Sequence, residues 1–600
     1  MDLQAHWENL AYDREAFRNC EDEPLQFCGA IQGHGQLVVW DRPSGRIVAV
    51  SENISEIALA PGRDLLGCLV SELLPGVESV TELETRHPHE LRLPGQVPRG
   101  VAYHFLGDYG YAEIEPPAGV NGSVESSLAD LRRMIHNMES LAHEVEVCQL
   151  AADQLREISH FERVMVYRFE QNWDGQVVAE SVVESLEPFQ GLFYPASDIP
   201  EQARKLYLNT RYRLISDALE APLPILTRVG LGRSELDLSH CSLRACSPMH
   251  IGYLINMGVR ASFSVPIKLD GRLWGLISCH HSSQPKLLSH NLRVASEMIA
   301  QVVSARVAAL RNQRRLEIRN SILELSQRLL AEVTRGKTAV SAFQALSQRV
   351  LQLTNSQGAF VRLAGQEAFL GDCPDPAFVD QLWNHLRGQG AMSLWSSDSL
   401  VEAGLPKEVK AAGAMAVPFS LGFEDLLIWF RPEHVREVSW GGKPQPKGDG
   451  FLQPRQSFSA WTETVHQRSR LWSEADDEAA QYLLFNFVQG IFENAADLAR
   501  ANQELERLTR AKDEFIGMIS HELRTPLGVI LGWVEILRDM EQEYPPLVEP
   551  LEVIERNAKT QVSLINDLLD ISRIVSGKMR INPQAGVDIC ALIHDVVNSL

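Results

Sequence analysis

The feature that most constrains the fold of this chain is a heptad pattern between Leu484 and Ile519. Nine of the eleven positions at coiled-coil spacing are apolar, and the pattern runs unbroken through five heptads. An amphipathic helix packed against its own domain is the alternative interpretation. The length of the pattern favours a coiled coil, so we predict one long helix and a parallel homodimer.

The chain is too long for one hydrophobic core and too acidic for several kinds of partner. Its 600 residues predict about three to five domains. The net charge of −22 argues against nucleic acid or an anionic membrane as a partner, because both attract clustered Lys and Arg. No apolar run of about 18 residues could span a membrane. The N-terminal stretch is acidic where a signal peptide is basic and then apolar, so we expect a cytoplasmic protein.

The nine cysteines predict neither a disulfide framework nor a metal site, because their number is odd and their spacing irregular. Cys20 and Cys28 lie too far apart for the close ligand pairs typical of zinc sites, and Cys28 with His34 would need two further ligands. We therefore expect no bound metal. A single cysteine is most often a small buried hydrophobe. The residues alone leave open whether CEDEPLQFCGAIQGHG, residues 20–35, holds a core fragment or a reactive thiol.

The patterns of strands and helices predict an α+β chain. Short strands and turns fill residues 24–116, and helical periodicity follows over 126–158. One hairpin is predicted around NWDG and another across Asp270-Gly271, because such pairs suit tight hairpin turns.

A weak internal repeat predicts two domains of one general type. Residues 257–281 are echoed by 412–433, and both run from small residues through Val-Pro into a strand, a turn and a second strand. We therefore expect a second such domain over 330–490. It carries a Gly- and Pro-rich insertion at 440–461, and long excursions of this kind are more often functional than structural.

The sharpest local motif is SHELRTPL, residues 520–527, at the end of the heptad pattern. A lone histidine is usually a satisfied surface or core imidazole, but His521 is followed by Glu522, Thr525 and Pro526. A neutral imidazole nitrogen is a nucleophile toward phosphorus, and a neighbouring carboxylate can accept its other proton. Proline inside a helix removes a backbone hydrogen bond, which would loosen the turn that carries the histidine.

Two segments, 191–213 and 244–259, have an unusual composition for a plain core. They mix aromatic residues with Asp198, Arg213 and Arg244 and with serine and histidine. Buried charges are costly unless they are paired, so this collection indicates either surface loops or a ligand pocket. In a pocket, arginines and hydroxyl groups bind carboxylates while aromatic rings line flat faces. The predicted ligand is then flat, conjugated and anionic.

Five motifs in chain order resemble those of bacteriophytochromes: PASDIP, RACSPMH, LWGLISCHH, PRQSF and the histidine-kinase H-box SHELRTPL. The resemblance covers nearly the whole chain and implies red/far-red light sensing through photoisomerisation of a linear tetrapyrrole. It implies antiparallel sheets flanked by helices, which long helices join to an α-helical hairpin. The implied domains are an N-terminal extension at 1–23, PAS at 24–118, GAF at 126–312, PHY at 313–503 with a tongue at about 436–466, a dimerisation and phosphoacceptor domain at 504–580, and the start of an ATP-binding domain at 581–600.

The resemblance implies covalent attachment of the tetrapyrrole to Cys20, because in the family a cysteine ahead of the PAS domain forms a thioether with a vinyl group. Phytochromes that carry phycocyanobilin-type ligands use a GAF-domain cysteine directly before the pocket histidine. Here that position is Met249, whose thioether cannot attack as a thiolate does. The implied ligand is therefore biliverdin IXα, although Cys241 and Cys246 lie nearby in the sequence.

The rest of the opening segment is expected to be structural. Cys28 follows an apolar stretch and should pack in the core. His34 belongs to IQGHG, which is similar to the family segment threaded through a knot between the PAS and GAF domains. Gly33 stands here in place of the family's proline.

The resemblance also gives each pocket residue a role. Asp198 would offer its main-chain carbonyl to pyrrole N–H groups and its carboxylate to Arg455 of the tongue. His250 and His280 would hold the ligand through a pyrrole water and the D-ring carbonyl. The other pocket residues bind propionates (Arg213, Arg244, Ser247, Ser262 and Ser264), flank the D ring (Tyr167 and Tyr253) or complete the PASDIP motif (Ile199 and Pro200).

By the same resemblance, His521 accepts a phosphoryl group from ATP, Glu522 assists, and Thr525 serves the reverse, phosphatase direction. A sensor histidine kinase of this kind passes the group to a cognate response regulator. The Asn- and Gly-rich boxes of an ATP-binding domain are not found, so we expect this chain alone to be inactive as a kinase. Either it is part of a longer protein or another chain supplies that module.

The alternative function is a non-enzymatic sensor or dimeric scaffold. In that case a GAF domain would bind a different small ligand, such as haem or a cyclic nucleotide, and would signal through the coiled coil. Cys20 and the insertion at 440–461 favour the tetrapyrrole.

Overall fold

The computed structural model describes two compact units, which divide between Leu484 and Phe485. The described residues are 8–10, 23–57, 64–77, 89–92, 97–117, 124–388, 393–442, 457–538, 548–575, 577, 586 and 588–599. None of the helices in these ranges combines the length and apolar character that a bilayer-spanning segment needs.

The strands follow one another in this order: β1 (Ala30–Ile31), β2 (Gln36–Asp41), β3 (Arg46–Ser51), β4 (His89–Leu91), β5 (Arg99–Leu106), β6 (Tyr109–Pro117), β7 (Arg163–Phe169), β8 (Gly175–Val182), β9 (Phe193–Tyr194), β10 (Arg213–Ile215), β11 (Leu223–Thr227), β12 (Ala261–Leu269), β13 (Arg272–His281), β14 (Gly358–Leu363), β15 (Gln366–Gly371), β16 (Trp395–Ser397), β17 (Gly413–Pro418), β18 (Leu426–Arg431), β19 (Arg436–Gly441) and β20 (Ala460–Val465). The α-helices are Val70–Leu73, Val124–Glu139, Glu144–Ser159, Glu201–Asn209, Pro248–Asn256, His290–Thr334, Ala339–Ala345, Ser347–Leu353, Pro376–Gly388, Glu474–Arg538, Val548–Val575 and Ile589–Ser599.

The first sheet combines strands from two distant parts of the sequence. Its order is β1-β11-β3-β2-β6-β5-β4, so a strand from residues 223–227 joins those before residue 118. Successive side chains point to opposite faces of a strand. Val38 and Trp40 of β2 therefore pack into one core, while Leu37 and Val39 pack into another. Because both faces are covered, β2 reads as a continuous apolar run.

The segment before β2 passes between two parts of one loop. On one edge, Ile31 pairs with Leu223 of β11. On the other edge, the Gln32 N–H donates to the Leu243 carbonyl at 2.8 Å. β11 and Leu243 both lie in the stretch between β10 and the helix Pro248–Asn256. This is the arrangement expected for a threaded IQGHG segment.

The second sheet has the order β10-β12-β13-β7-β8-β9-β19-β20. The predicted hairpins are present: β7 and β8 flank NWDG, and β12 and β13 meet across Asp270 and Gly271, whose φ angles are 49° and 77°. Two positive φ angles in a two-residue turn match the twist of the strands. The helices Glu144–Ser159 and His290–Thr334 cover one face of this sheet through a shared core.

One sequence prediction in this region was wrong in detail, because the helical stretch predicted over 126–158 is two helices. The chain turns after Glu139 and resumes at Glu144. The Glu146 carboxylate accepts the His143 N–H at 3.2 Å, which satisfies a free donor at the start of the second helix.

The third sheet, β15-β14-β18-β17-β16, supports the second domain predicted from the repeat. β17 and β18 form the strand–turn–strand unit expected at 412–433. Their apolar residues pack with the helix Pro376–Gly388 around Phe360, Leu382 and Phe430.

The insertion at 440–461 leaves and rejoins the fold through a strand pair, β19 and β20. Its residues 443–456 lie outside the described part of the chain. β19 also pairs in parallel with β9 at Trp440 and Phe193, so the base of the insertion extends the second sheet rather than the third. Gly441 allows this approach, because a Cβ there would lie 2.5 Å from ring atoms of Tyr194.

The second unit is helical. The helix Glu474–Arg538 contains the whole heptad pattern and continues through Pro526. The helix Val548–Val575 contacts it through a small core that includes Leu527, Ala558 and Ile565. The helical hairpin predicted from the sequence is therefore confirmed, as is the α+β character of the sheets.

Candidate functional site

A cavity of about 350 Å³ lies in the first unit, between the second sheet and two short helices, Glu201–Asn209 and Pro248–Asn256. It brings together every pocket residue predicted from the sequence. These twelve residues are Tyr167, Asp198, Ile199, Pro200, Arg213, Arg244, Ser247, His250, Tyr253, Ser262, Ser264 and His280.

Side chains on one face of the second sheet form the floor of the cavity. On β13, Leu276, Ser278 and His280 face the cavity, while Ile277 and Cys279 between them face the helix-covered core. Polar Ser278 and His280 therefore alternate with apolar Ile277 and Cys279, because the two faces of the strand meet different surroundings.

The PASDIP loop forms a wall of the cavity next to the helix Pro248–Asn256. The Tyr253 hydroxyl donates to Asp198 Oδ2 at 3.3 Å. The Arg204 guanidinium donates to the carbonyls of Ala196 and Ile199 at 3.3 and 2.7 Å, which holds the loop against the helix that follows it. The loop is thus held by both flanking helices, and one of them contacts the Asp198 carboxylate through Tyr253.

Two arginines of the cavity, Arg213 and Arg244, are neighbours, because the Arg213 guanidinium donates to the Arg244 carbonyl. Arg213 donates to the Ala245 carbonyl at 3.0 Å and contacts Cys246 Sγ at 3.0 Å, and Arg244 donates to the Leu238 carbonyl at 3.4 Å. Burial and the neighbouring Arg213 charge lower the pKa of Arg244 to about 10, so both stay protonated at neutral pH. Among the described residues, neither forms an ion pair with a carboxylate. Buried charges without a partner are costly, and this pair forms a site for an anion.

The two pocket histidines are neutral at physiological pH. Burial, with a contribution from Arg213, lowers the pKa of His250 to about 4, and burial lowers that of His280 to about 3. His280 Nε2 shares a 3.2 Å hydrogen bond with the Ser278 hydroxyl. His280 Nδ1 is buried and has no hydrogen-bond partner within the described part of the protein. An orphaned ring nitrogen on a cavity wall indicates a place for a polar ligand atom.

Hydroxyl groups complete the wall. Ser262 and Ser264 lie on β12, where Ser264 pairs with Arg213 of β10. Ser247 caps the helix Pro248–Asn256 by accepting the Met249 N–H at 3.1 Å. Burial raises the pKa of Tyr167, so its phenol stays protonated.

Sequence reasoning missed several lining residues. Tyr207 is half-buried, desolvation raises its pKa, and it hydrogen-bonds Ser264. Its place on the inner face of the helix Glu201–Asn209, four residues after Ala203, could have revealed it. The Glu23 carboxylate accepts the Ser247 hydroxyl at 2.6 Å, and no local pattern could have shown this contact across 224 positions.

Two predicted residues, Cys20 and Arg455, lie outside the described residues. A sequence neighbour of each reaches the site. Glu23, three residues after Cys20, lines the cavity. Phe458, three residues after Arg455, packs edge-on against Tyr253 with ring centroids 4.8 Å apart. Cys28, predicted to pack, is 2% exposed and belongs to a core of the first sheet.

The predicted phosphoacceptor residues lie in the second unit, on the helix Glu474–Arg538. His521, Glu522 and Thr525 are all exposed. The Thr525 hydroxyl donates to the His521 carbonyl at 3.2 Å, one turn back along the helix. The imidazole is therefore open to a reactant in solution.

Four family models match the chain in succession. They are the PAS fold over residues 20–93, the GAF domain over 143–307, the Phytochrome region over 322–496 and the His Kinase A (phospho-acceptor) domain over 511–577. The last range includes His521 and the heptad pattern's end.

Known proteins match over most of the chain. Cyanobacterial phytochrome B of Nostoc sp. is 32% identical over 97% of this chain and 80% of its own length. A bacteriophytochrome of Pseudomonas aeruginosa is 32% identical over 96% and 79%. Among solved structures, the photosensory core module of the Stigmatella aurantiaca phytochrome superimposes with a TM-score of 0.70 at 30% identity, covering 80% of this chain and 99% of that one.

Proposed function

The chain belongs to the phytochrome family of photoreceptors, and from that premise we propose that it is a red/far-red light sensor with covalently bound biliverdin IXα. Members of this family bind linear tetrapyrroles. The PAS, GAF, PHY and phosphoacceptor boundaries expected from the sequence overlap the matched ranges, and we keep them as part of the proposal.

The observation that carries the proposal is the pair of arginines in the cavity, of which Arg244 is buried and Arg213 half-buried. A tetrapyrrole bears two propionates, and Arg213 and Arg244 supply positive charge that the described residues leave without carboxylate partners. Arginine binds carboxylates through paired N–H donors. The serines of the cavity wall add hydroxyl donors. The cavity volume of about 350 Å³ is within the usual range of small-molecule sites.

The neutral histidines suit the other end of such a ligand. The unpartnered His280 Nδ1 can bond a D-ring carbonyl if it carries the proton. His250 stacks parallel to Tyr253, with ring centroids 6.0 Å apart, so its nitrogens are held in a fixed plane for a pyrrole water. The Asp198 main chain would accept pyrrole N–H groups. The bound ligand supplies the light absorption and the double bond that isomerises.

Cys20 is the proposed attachment residue. Glu23 lines the cavity, and three residues of extended chain span about 10 Å at most, so the Cys20 thiol is within reach of a ligand there. Its sulfur would add to a vinyl group of the ligand, and the thiol proton would pass to the ligand carbon. Met249, in the position used by other family members, has no thiol for this reaction.

The output we propose is that of a sensor histidine kinase. A His521 nitrogen would attack the γ-phosphorus of ATP and ADP would leave, with Glu522 accepting the other ring proton and Thr525 serving the reverse reaction. A cognate response regulator would receive the phosphoryl group. The seam residues Leu498, Leu505 and Leu508 are between 58% and 65% exposed, which supports a second copy of the chain as the partner that covers them.

An absorbance measurement tests the proposed function. The full chain, produced in darkness with biliverdin, should be coloured, and red light should convert its spectrum to one that far-red light reverses. A chain that takes up haem, or a pigment whose spectrum light does not change, would contradict it. Phosphoryl transfer is tested by adding ATP with a relative's ATP-binding domain, and His521→Gln should abolish the labelling.

A further inference from the structure

A second cluster of donor groups, two buried and one half-buried, lies outside the cavity, where the loop after β11 crosses the first sheet. It consists of His104 on β5, Glu113 on β6 and Cys241 in the loop. One nitrogen, oxygen or sulfur ligand atom of each lies within 4.8 Å of those of the others. The His104 Nδ1 and the Glu113 Oε1 are 3.7 Å apart.

The sheet register places the first two side chains on one face. β5 and β6 pair His104 with Tyr111 and Ala102 with Glu113, so His104 and Glu113 are diagonal neighbours. The His104 ring stacks on Tyr111, with centroids 4.7 Å apart and planes 6° apart. The imidazole is therefore held in one orientation.

The loop carries the third donor, Cys241, and orients the Glu113 carboxylate. The Ser242 hydroxyl and the Leu243 N–H donate to Glu113 Oε2 at 2.8 and 2.7 Å. The other carboxylate oxygen, Oε1, is left to face His104. Cys241 directly precedes these two donors and is 1% exposed.

The Arg244 guanidinium favours the Cys241 thiolate, but burial outweighs it and keeps the pKa of the thiol raised. Burial raises the pKa of Glu113 and of Cys241 and lowers the pKa of His104 to about 3. No Lys or Arg of the described chain forms an ion pair with Glu113. The second ring nitrogen of His104, Nε2, is buried without a hydrogen-bond partner there. A cation among these donors would stabilise the carboxylate and thiolate forms together.

We propose that His104, Glu113 and Cys241 form a zinc site that ties the loop to the first sheet. Zinc accepts nitrogen, oxygen and sulfur ligands in one tetrahedral site, whereas magnesium and calcium avoid thiolate. On binding, the Zn–S bond forms as the Cys241 thiol releases its proton to solvent. Ligands about 2.0–2.3 Å from zinc lie closer together than these donors, so binding draws the loop inward by on the order of 1 Å.

The fourth ligand would be water or His240. His240 is exposed and directly precedes Cys241 in the loop. Its ring centroid lies 6.3 Å from that of His104. The donors come from three separated segments, so the absence of close cysteine pairs, from which we expected no metal, does not bear on this site. Because Arg244 follows Cys241 by three residues, the metal would also anchor one wall of the cavity.

The test uses the full, biliverdin-loaded chain carrying Cys590→Ser, which removes an exposed thiol. After equilibration with zinc chloride and gel filtration, we expect a single zinc ion per chain by mass spectrometry. Zinc-edge X-ray absorption should show one sulfur ligand at about 2.3 Å. Added zinc should raise the Tm.

The Cys241→Ser change should remove both the sulfur ligand and the rise in Tm. Cys373→Ser, a partly buried thiol of the third sheet's domain, is the matched control and should retain both. His104→Gln should lower zinc retention at least tenfold, and it keeps the test open if Cys241→Ser does not fold by circular dichroism. Zinc without a sulfur ligand, or equal retention by the Cys241 and Cys373 variants, would overturn the proposal.

Discussion

The Tyr253 hydroxyl donates a 3.3 Å hydrogen bond to Asp198 Oδ2, and the same tyrosine ring meets Phe458 edge-on at 4.8 Å. Phe458 belongs to PRQSF, just before β20. One side chain therefore contacts both the PASDIP loop and the returning arm of the insertion at 440–461. A change at the ligand that displaced Tyr253 would therefore disturb its packing against that arm.

Asp198→Ala should bind biliverdin but complete the photocycle poorly. The side chain accepts from Tyr253 and does not supply the buried positive charge, so ligand affinity should survive. We expect the yield of the far-red-absorbing state to fall severalfold in difference spectra. Tyr253→Phe is the matched variant that removes only the hydroxyl, and it should cause a smaller loss. Full formation of the far-red-absorbing state in Asp198→Ala would contradict the role given to the carboxylate.

Cys20→Ser should leave biliverdin bound without a covalent link. The cavity keeps Arg213, Arg244 and His280 in this variant. In denaturing gels with zinc, bilin fluorescence should disappear from the variant band while the native protein stays coloured. Cys28→Ala is the control: it removes a buried thiol, should cost about 1 kcal/mol of stability, and should keep the fluorescence. The reverse pattern would assign attachment to Cys28.

These two predictions rest on residues that the sequence identified, and the reason is local. Aromatic, charged and hydroxyl residues were concentrated in 191–213 and 244–259, and a concentration of polar groups that must be buried has few explanations besides a pocket. The hairpin turns were also predicted, because Asp270-Gly271 carries its turn geometry in two residues.

The sequence could not show the contacts that join segments far apart along the chain. β11 joins β3 across about 175 positions, and nothing in LPILT distinguishes this partner from any other strand. The contact of Glu23 with Ser247 and the cluster around Glu113 arise from the same crossing of loop and sheet. The turn at 140–143 was missed for a different reason, since apolar periodicity continues through it.

Gly175→Ala should distort the cavity although Gly175 does not itself line it. A Cβ at this position would collide with the ring of Tyr167, a lining residue. The ring must shift or the strand must distort, which typically costs about 1–3 kcal/mol. We expect a lower Tm and a shifted red absorbance band. Gly100→Ala is the control on β5, where the nearest atom to a new Cβ is Glu115 Oε2 at 3.7 Å, and it should change neither measurement.

The neutral pocket histidines predict acid sensitivity of the bilin-free chain. The folded-state pKa of His250 is about 4, below the ordinary value of about 6.5. Between these values the unfolded chain binds more protons, so stability is complete above about pH 6.5 and is lost as pH falls toward 4. The contribution of His250 over that range is roughly 3 kcal/mol.

His250→Gln should therefore flatten the dependence of Tm on pH between about pH 5 and pH 7.5. His136→Gln provides the comparison, because that side chain is 84% exposed, and its Tm curve should follow the unchanged chain. Parallel curves for all three proteins would show that His250 is not held neutral by the fold.

Arg455→Ala should alter the photostates without affecting attachment of the ligand. Arg455 precedes Phe458 by three residues, and three residues span about 10 Å at most, so its guanidinium can reach the Asp198–Tyr253 pair. A guanidinium that closes over a water-poor cavity needs a carboxylate, and breaking a deeply buried pair costs about 3–5 kcal/mol. If the pair forms in only one photostate, its loss changes the balance between the states. We therefore expect normal covalent assembly and a changed rate of dark reversion, followed by absorbance after red light.

A double-mutant cycle decides whether the two residues meet. If Arg455 acts through Asp198, the Arg455→Ala change should add little once Asp198→Ala is present, because the partner charge is already gone. Phe458→Ala serves as the comparison, since it weakens the packing of the same arm on Tyr253 without removing a charge, and its effect should persist beside Asp198→Ala. Independent, additive effects of the Arg455 and Asp198 changes on dark reversion would place the tongue arginine with another partner.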